Sequence, residues 1–287
     1  MAKTHITKEE LFDFIKAALH EDVGDGDHTS LACIPADSRA KAKLLVKDTG
    51  ILAGVEFATA VFEYVDPTAT LEYFKQDGDD IVFGDIAFIV ECNTRALLQA
   101  ERLILNTMQR MSGIATISSR FSFEVSGTKA KILDTRKTTP LFRMLEKWAV
   151  RIGGCYNYRD GLYDRFMPKD NHVDACGGIS QAIDRINAYK TTKQIDLPVT
   201  IEVRNLLELN EVLEKGNIDR IMLDNFNIEP MQEAVAIVNG RYEVEASGGI
   251  TLQNVKEVAK TGVDFISVGA LTHSANCLDL SLKIIKD

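Results

Sequence analysis

The second half of the chain alternates two hydrophobic rhythms. Short apolar runs at 199–203 (VTIEV), 219–223 (DRIML), 242–246 (YEVEA) and 264–268 (DFISV) recur every twenty-odd residues. Between them, 205–214, 229–238 and 251–260 place apolar residues at helical spacing. Strand, helix, strand at this interval predicts βα units around a parallel sheet. The repetition without a composition break favours a barrel over an open sheet. Residues 131–134 fit the same scheme as a further strand. Thr139 is then expected as an N-cap and Pro140 as the first helical residue, with a stripe of Leu141, Leu145, Trp148 and Ile152 closed by Gly153-Gly154. On that stripe Trp148 belongs to the core.

The first hundred or so residues follow a different pattern. Thr7 and Glu10 predict a capping box on a helix whose apolar stripe is Leu11, Phe14, Ile15 and Leu19. Strand-like runs follow at 41–47, 51–53, 70–74 and 86–91, broken by Asp-Thr-Gly and Asp-Gly turns, and then a long helical pattern at 94–111. The expected organisation is a small α+β domain at 1–112, an α/β barrel at 113–275, and a tail at 276–287 that packs back on the first domain.

Composition narrows the function. With 45% hydrophobic and 26% charged residues the chain is an ordinary globular one, and its net charge of -9 leaves no broad basic surface for nucleic acid. Any anion site must be a local concentration of charge. Five scattered cysteines without CxxC spacing read as reduced thiols of a cytoplasmic protein, and no stretch approaches a membrane span. Cys155, beside the candidate site, is the thiol to alkylate in a test for thiol regulation.

That concentration of charge lies at the strand ends, the functional face of a barrel. Arg136 and Lys137 follow the strand at 131–134; Arg159 and then Lys169, Asp170, Asn171 and His172 follow the next apolar stretch. Arginine suits bidentate carboxylate recognition and lysine acts as a point charge, so the group fits a ligand with several negative charges; taken singly, each fits a solvated rim equally well. Glu202 and Asp224 sit on successive strand ends and suit sugar hydroxyls or a Mg²⁺ held partly by substrate oxygens, or else a structural pair. Ser247-Gly248-Gly249, with Thr251 expected as the N-cap of the next helix, and Gly269-Ala270, with His273 beyond, suit backbone binding of phosphate; tight βα turns would use the same glycines. His172 fits a base or a structural hydrogen bond better than a metal ligand, and His28 is expected to serve a turn.

Several of these segments occur together in one family. DTRKTTP, LEKWAVRIGG, KDNH, IEVRN, IMLDN, EASGGI and GVDFISVGALTHS, with GDGDHTS and ERLILNTMQRMSGIAT nearer the N-terminus, resemble the quinolinate phosphoribosyltransferases over nearly the whole chain and in the expected order. The resemblance implies an α/β sandwich domain followed by an incomplete α/β barrel, working as a homodimer or larger assembly. It implies transfer of phosphoribosyl from phosphoribosyl pyrophosphate to quinolinate with Mg²⁺ and loss of carbon dioxide, a step of de novo NAD synthesis. By motif, Arg136, Lys137, Arg159 and Lys169 would hold carboxylates and phosphates, and Arg102 would enter the neighbouring subunit's site. Glu202 and Asp224 would lie near ribose and magnesium, and the SGG and VGA loops would take the 5′-phosphate. Tyr158 stands where the family has a histidine beside the substrate carboxylates, Thr200 where it often has a glutamate, and Pro168 where an apolar residue is usual. The competing readings are a related phosphoribosyltransferase with another aromatic carboxylate acceptor, a Schiff-base aldolase using Lys169, and an inactive paralogue that binds a phosphorylated ligand.

Overall fold

The computed structural model describes residues 6–285. In chain order its elements are α1 (Lys8–Val23), α2 (His28–Cys33), β1 (Arg39–Val46), β2 (Gly50–Ile51), α3 (Val55–Val65), β3 (Thr70–Tyr73), β4 (Asp80–Ile81), β5 (Ile86–Asn93) and α4 (Thr94–Glu124). There follow β6 (Lys131–Leu133), α5 (Arg143–Ile152), α6 (Asp170–Cys176), α7 (Ile179–Lys193), β7 (Thr200–Val203), α8 (Leu206–Lys215) and β8 (Arg220–Asp224). The last are α9 (Ile228–Val238), β9 (Glu243–Ser247), α10 (Val255–Lys260), β10 (Phe265–Ser267), α11 (Ala270–His273) and β11 (Leu280–Ile284).

Two compact units emerge. The N-terminal unit contains 6–119, 139–154 and 275–285; the barrel unit contains 120–138 and 155–274. In the N-terminal unit an antiparallel sheet of order β11-β1-β5-β3 buries Ala42, Leu44, Val46, Phe88 and Val90. The alternate burial along β1 is what a half-solvated antiparallel sheet requires. Helix α1 starts at the Thr7–Glu10 capping box, with Leu11 and Ile15 buried.

The segment 139–154 departs from the sequence expectation. The helix begins at Arg143, because the Thr139 backbone N–H and hydroxyl both donate to the Glu146 carboxylate, at 3.1 and 2.9 Å. Leu141 takes φ +61° and is 96% exposed, so it leaves the stripe, and Trp148 is half-buried rather than core. The fully buried Glu146 also accepts from Nε and Nη2 of Arg110 on α4, at 3.0 and 2.9 Å. Gly153 lies so close to α4 that a Cβ would meet the Ala115 carbonyl oxygen at 2.3 Å. These contacts group α5 with the N-terminal unit instead of with the barrel segments that flank it in sequence. His28, expected in a turn, opens α2.

In the barrel unit the strands form a parallel sheet of order β6-β10-β9-β8-β7. Parallel bridges Leu133↔Tyr156 and Phe166↔Val199 add one position at each edge, giving an incomplete α/β barrel. β7 is buried throughout and β8 in all but its last residue, as strands covered on both faces must be. The carboxyl ends of these strands carry the polar residues that matter next.

Candidate active site

At the end of β6 the apolar run gives way to Asp134, which is fully buried. Its carboxylate accepts the Tyr158 backbone N–H at 2.8 Å and the Asn157 side-chain amide at 2.6 Å. The strand end therefore fixes the segment that carries Arg159. Past Asp134 the chain turns on Thr135, whose hydroxyl accepts the Lys137 N–H at 3.1 Å, and the Lys137 carbonyl accepts the Thr272 hydroxyl at 2.8 Å. Arg136 and Lys137 are left exposed, with Arg159 half-buried near them. Burial and the neighbouring Arg136 charge together pull the Arg159 guanidinium below its ordinary value. An anion between these cations relieves that repulsion.

The opposite wall is acidic. Glu202, in β7, is 5% exposed; its carboxylate takes the ammonium of Lys169 and also accepts the Asp170 N–H at 3.3 Å. Asp224, at the end of β8, has its carboxyl raised above the ordinary range, first by burial and then by the Glu202 charge; the Asn225 amide, 2.7 Å away, opposes this. His172 Nδ1 faces the Lys169 backbone N–H at 3.3 Å, so the ring serves the first turn of α6.

Two loops complete the site. Gly248 sits at φ +94°, and a Cβ there would meet Asn225 Oδ1 at 2.2 Å, so only glycine fits. Thr251 does not cap a helix: α10 begins four residues later, and Asn254 instead closes the loop by accepting the Thr251 N–H at 2.8 Å and donating to the Gly249 carbonyl at 2.9 Å.

The ends of β6, β8, β9 and β10 and the loops that follow them open into one cavity of about 800 Å³. Its walls take Arg136, Lys137, Arg159 and Lys169 from the cationic side and Asp224 from the acidic side. Ser247, Gly248 and Gly249 come from one glycine loop, Gly269, Ala270 and His273 from the other. Tyr158 also lines it, but its hydroxyl is engaged by Thr200 Oγ1 at 2.8 Å. Glu202 stands behind Lys169, and Arg102 is exposed on α4 in the N-terminal unit.

The cavity also uses residues the sequence reading passed over, among them Thr135, Met167, Met222, Asn225 and Ser267, and it is lined by Thr251, which was expected only as a cap. Asn225 was legible as the neighbour of Asp224 in a strand-end LDN; Ser267 and the methionines lie inside apolar runs and carry no such signal. Cys155 is buried, and burial pushes its thiol up to about 12, so alkylation in the folded protein does not reach it readily.

The chain matches the quinolinate phosphoribosyl transferase N-terminal domain over residues 27–112 and the C-terminal domain over residues 114–283. It is 45% identical to a chloroplastic nicotinate-nucleotide pyrophosphorylase [carboxylating] of Arabidopsis thaliana, over 94% of this chain and 81% of that one. It is 39% identical to a probable nicotinate-nucleotide pyrophosphorylase [carboxylating] of Bacillus subtilis, over 92% and 90%. The crystal structure of NadC from Streptococcus pyogenes superposes with a TM-score of 0.91 at 36% identity, covering 99% of this chain and all of that one.

Proposed function

We infer the activity from membership: this chain belongs to the quinolinate phosphoribosyl transferase family, and it transfers the phosphoribosyl group of phosphoribosyl pyrophosphate to the ring nitrogen of quinolinate. Pyrophosphate and carbon dioxide leave, and the product is nicotinate mononucleotide, a precursor of NAD. The observation that carries this reading is the convergence of Arg136, Lys137, Arg159 and Lys169 with Asp224 and two glycine loops on one cavity. Few ligand pairs need that many cations in one place; a pyridine dicarboxylate and a triply phosphorylated ribose do.

In this mechanism the cations hold the acceptor carboxylates and the pyrophosphate, so that the ring nitrogen faces the anomeric carbon. As the bond to pyrophosphate breaks, positive charge builds on that carbon, and the Asp224 carboxylate stabilises it. The Ser247–Gly249 and Gly269–Ala270 loops take the 5′-phosphate. The ribosylated ring then accepts the electrons of the departing carboxylate, and a proton replaces it.

Among the described residues no three of His, Cys, Asp or Glu form a cage for a metal ion. A single carboxylate with substrate oxygens is nevertheless a common way to hold Mg²⁺, and Asp224 fits it. Glu202, engaged by Lys169, backs the site instead of ligating. Mg²⁺, when bound with phosphoribosyl pyrophosphate, neutralises the leaving group.

The working form we propose is a homodimer in which the exposed Arg102 of a second copy adds a further cation to the cavity. Among the described residues no helix is long and apolar enough to cross a membrane. The location we propose, from the reduced thiols expected of the scattered cysteines, is the cytoplasm. Lys169 Nζ is engaged by Glu202, which weighs against the Schiff-base reading.

The test is turnover with phosphoribosyl pyrophosphate, Mg²⁺ and either quinolinate or nicotinate. Quinolinate-dependent release of mononucleotide and carbon dioxide is expected. Binding of phosphoribosyl pyrophosphate without quinolinate turnover would shift the assignment to another aromatic carboxylate, or to an inactive paralogue.

A further inference from the structure

Beneath the cavity lies a charged group that the reaction does not use. Arg220 is the first residue of β8, at the end of the strand opposite Asp224, and is 6% exposed. Its guanidinium sits 3.7 Å from the centroid of the Phe265 ring and 5.1 Å from that of Tyr158. Nη1 donates to the fully buried Glu245 at 3.1 Å; Nε and Nη2 donate to Glu243 at 3.0 and 2.8 Å. The other oxygen of Glu245 accepts the Ser267 hydroxyl at 2.5 Å.

A buried arginine is costly to desolvate and needs partners on every side. Here the guanidinium reaches the cavity in two ways, over the Tyr158 ring and from Nη1 through Glu245 to Ser267. Both Tyr158 and Ser267 line the cavity, while Nε and Nη2 are taken up by Glu243, which does not. The Tyr158 ring is held from its other end as well, since its hydroxyl meets Thr200, which also accepts from Arg165 Nη1 at 2.8 Å. Burial, reinforced by the Glu245 charge, pushes the Tyr158 hydroxyl up, so the floor stays uncharged at all working pH.

We propose that Arg220 is a positioning residue for the acceptor: it clamps Tyr158 through the ring face and Ser267 through Glu245, giving the cavity a fixed, neutral aromatic floor for the pyridine ring. The proposal rests on the activity inferred above. It predicts a selective effect, because the phosphates of the other substrate are held by cations and glycine loops that Arg220 does not touch.

The experiment compares wild type with Arg220→Met and Arg220→Lys, reading kcat, KM for quinolinate and KM for phosphoribosyl pyrophosphate separately, with thermal melting alongside. Loss of the clamp in Arg220→Met is expected to raise KM for quinolinate about tenfold, within the range of a cation–π contact between its exposed and fully desolvated limits. KM for phosphoribosyl pyrophosphate should move less than about twofold, and Arg220→Lys should recover part of the loss. Phe265→Leu keeps an apolar side chain and removes one ring from the sandwich; it should give the same split at about threefold, and it decides the matter if Arg220→Met does not fold. Equal changes in both KM values, or a lowered melting temperature with both KM values intact, would overturn the positioning role alone. Wild-type protein that turns over no quinolinate would instead overturn the activity on which it rests.

Discussion

Asp134 and Tyr158 are joined by a 2.8 Å hydrogen bond from backbone to carboxylate that ties one strand end to the next segment of the barrel wall. Asp134 is fully buried, so replacing it leaves the Tyr158 N–H and the Asn157 amide without this acceptor in a dry site. Asp134→Ala is expected to lower stability by about 2–4 kcal/mol in denaturant unfolding. It should also cost more activity than a stability loss of that size explains at 25 °C, because Arg159 follows Tyr158 directly.

The Lys169–Glu202 pair separates stability from catalysis. Lys169→Met strands a buried carboxylate and should cost about 2–4 kcal/mol. Adding Glu202→Gln removes the stranded charge, and most of the stability should return while turnover stays at least about a hundredfold down. Recovery of turnover in the double variant would show that Lys169 serves only the pair.

Asp224 sets a pH dependence. Its carboxyl is raised by burial and by Glu202, so folding favours its protonated form. The linkage sign follows: ionised Asp224 lowers stability at neutral pH, and the penalty is relieved as pH falls through its folded-state value. Asp224→Asn should therefore be more stable than wild type near pH 7 and lose that advantage in acid, when unfolding is measured across the range. The same variant should lose about a hundredfold in turnover.

The two loop glycines should behave differently. Gly248→Ala meets Asn225 at 2.2 Å in a positive-φ conformation, so the loop must shift, and KM for phosphoribosyl pyrophosphate should rise at least about tenfold. Gly249→Ala, at φ +62° with no protein atom within 4 Å of its Cβ, should cost only about 1 kcal/mol of stability and raise KM for phosphoribosyl pyrophosphate less than Gly248→Ala does. Steady-state kinetics on the two variants decides.

Thiol labelling provides a quick check on burial. Cys33 and Cys277 are exposed, whereas Cys155 is buried with its thiol pushed up to about 12. Iodoacetamide at neutral pH should modify Cys33 and Cys277 while Cys155 remains unlabelled until the protein unfolds.

How far the sequence could be read depends on where each signal is local. The parallel strands of the barrel are self-contained apolar runs, and β7, β8, β9 and β10 lie within a residue or two of the expected positions. The polar strand ends were legible because a barrel puts function there whatever the loops do. What was not legible depends on partners distant in sequence. The start of α5 is set by Glu146, a helical residue that reaches back to Thr139 and out to Arg110, so a local capping rule placed it too early. The hydroxyl of Tyr158 is engaged by Thr200, 42 residues away, a pairing that neither residue announces. β4 has two residues and no periodicity to detect. Arg220 was hidden within an apolar run, where a charge is ordinarily taken for the edge of a strand.

The pairing of β11 with β1 has a consequence for how this chain is made. Leu280–Ile284 lies antiparallel to Ala42–Val46, so one side of β1 is completed by a strand that leaves the ribosome after every other strand described. Until then β1 presents an open edge with β5 on its other side, and an open edge recruits whatever strand is nearest. Chaperone dependence and inclusion-body formation in this protein should therefore be governed by the interval between the synthesis of β1 and that of β11. A tag or truncation that delays β11 should reduce the yield of folded protein without altering a single residue of the cavity.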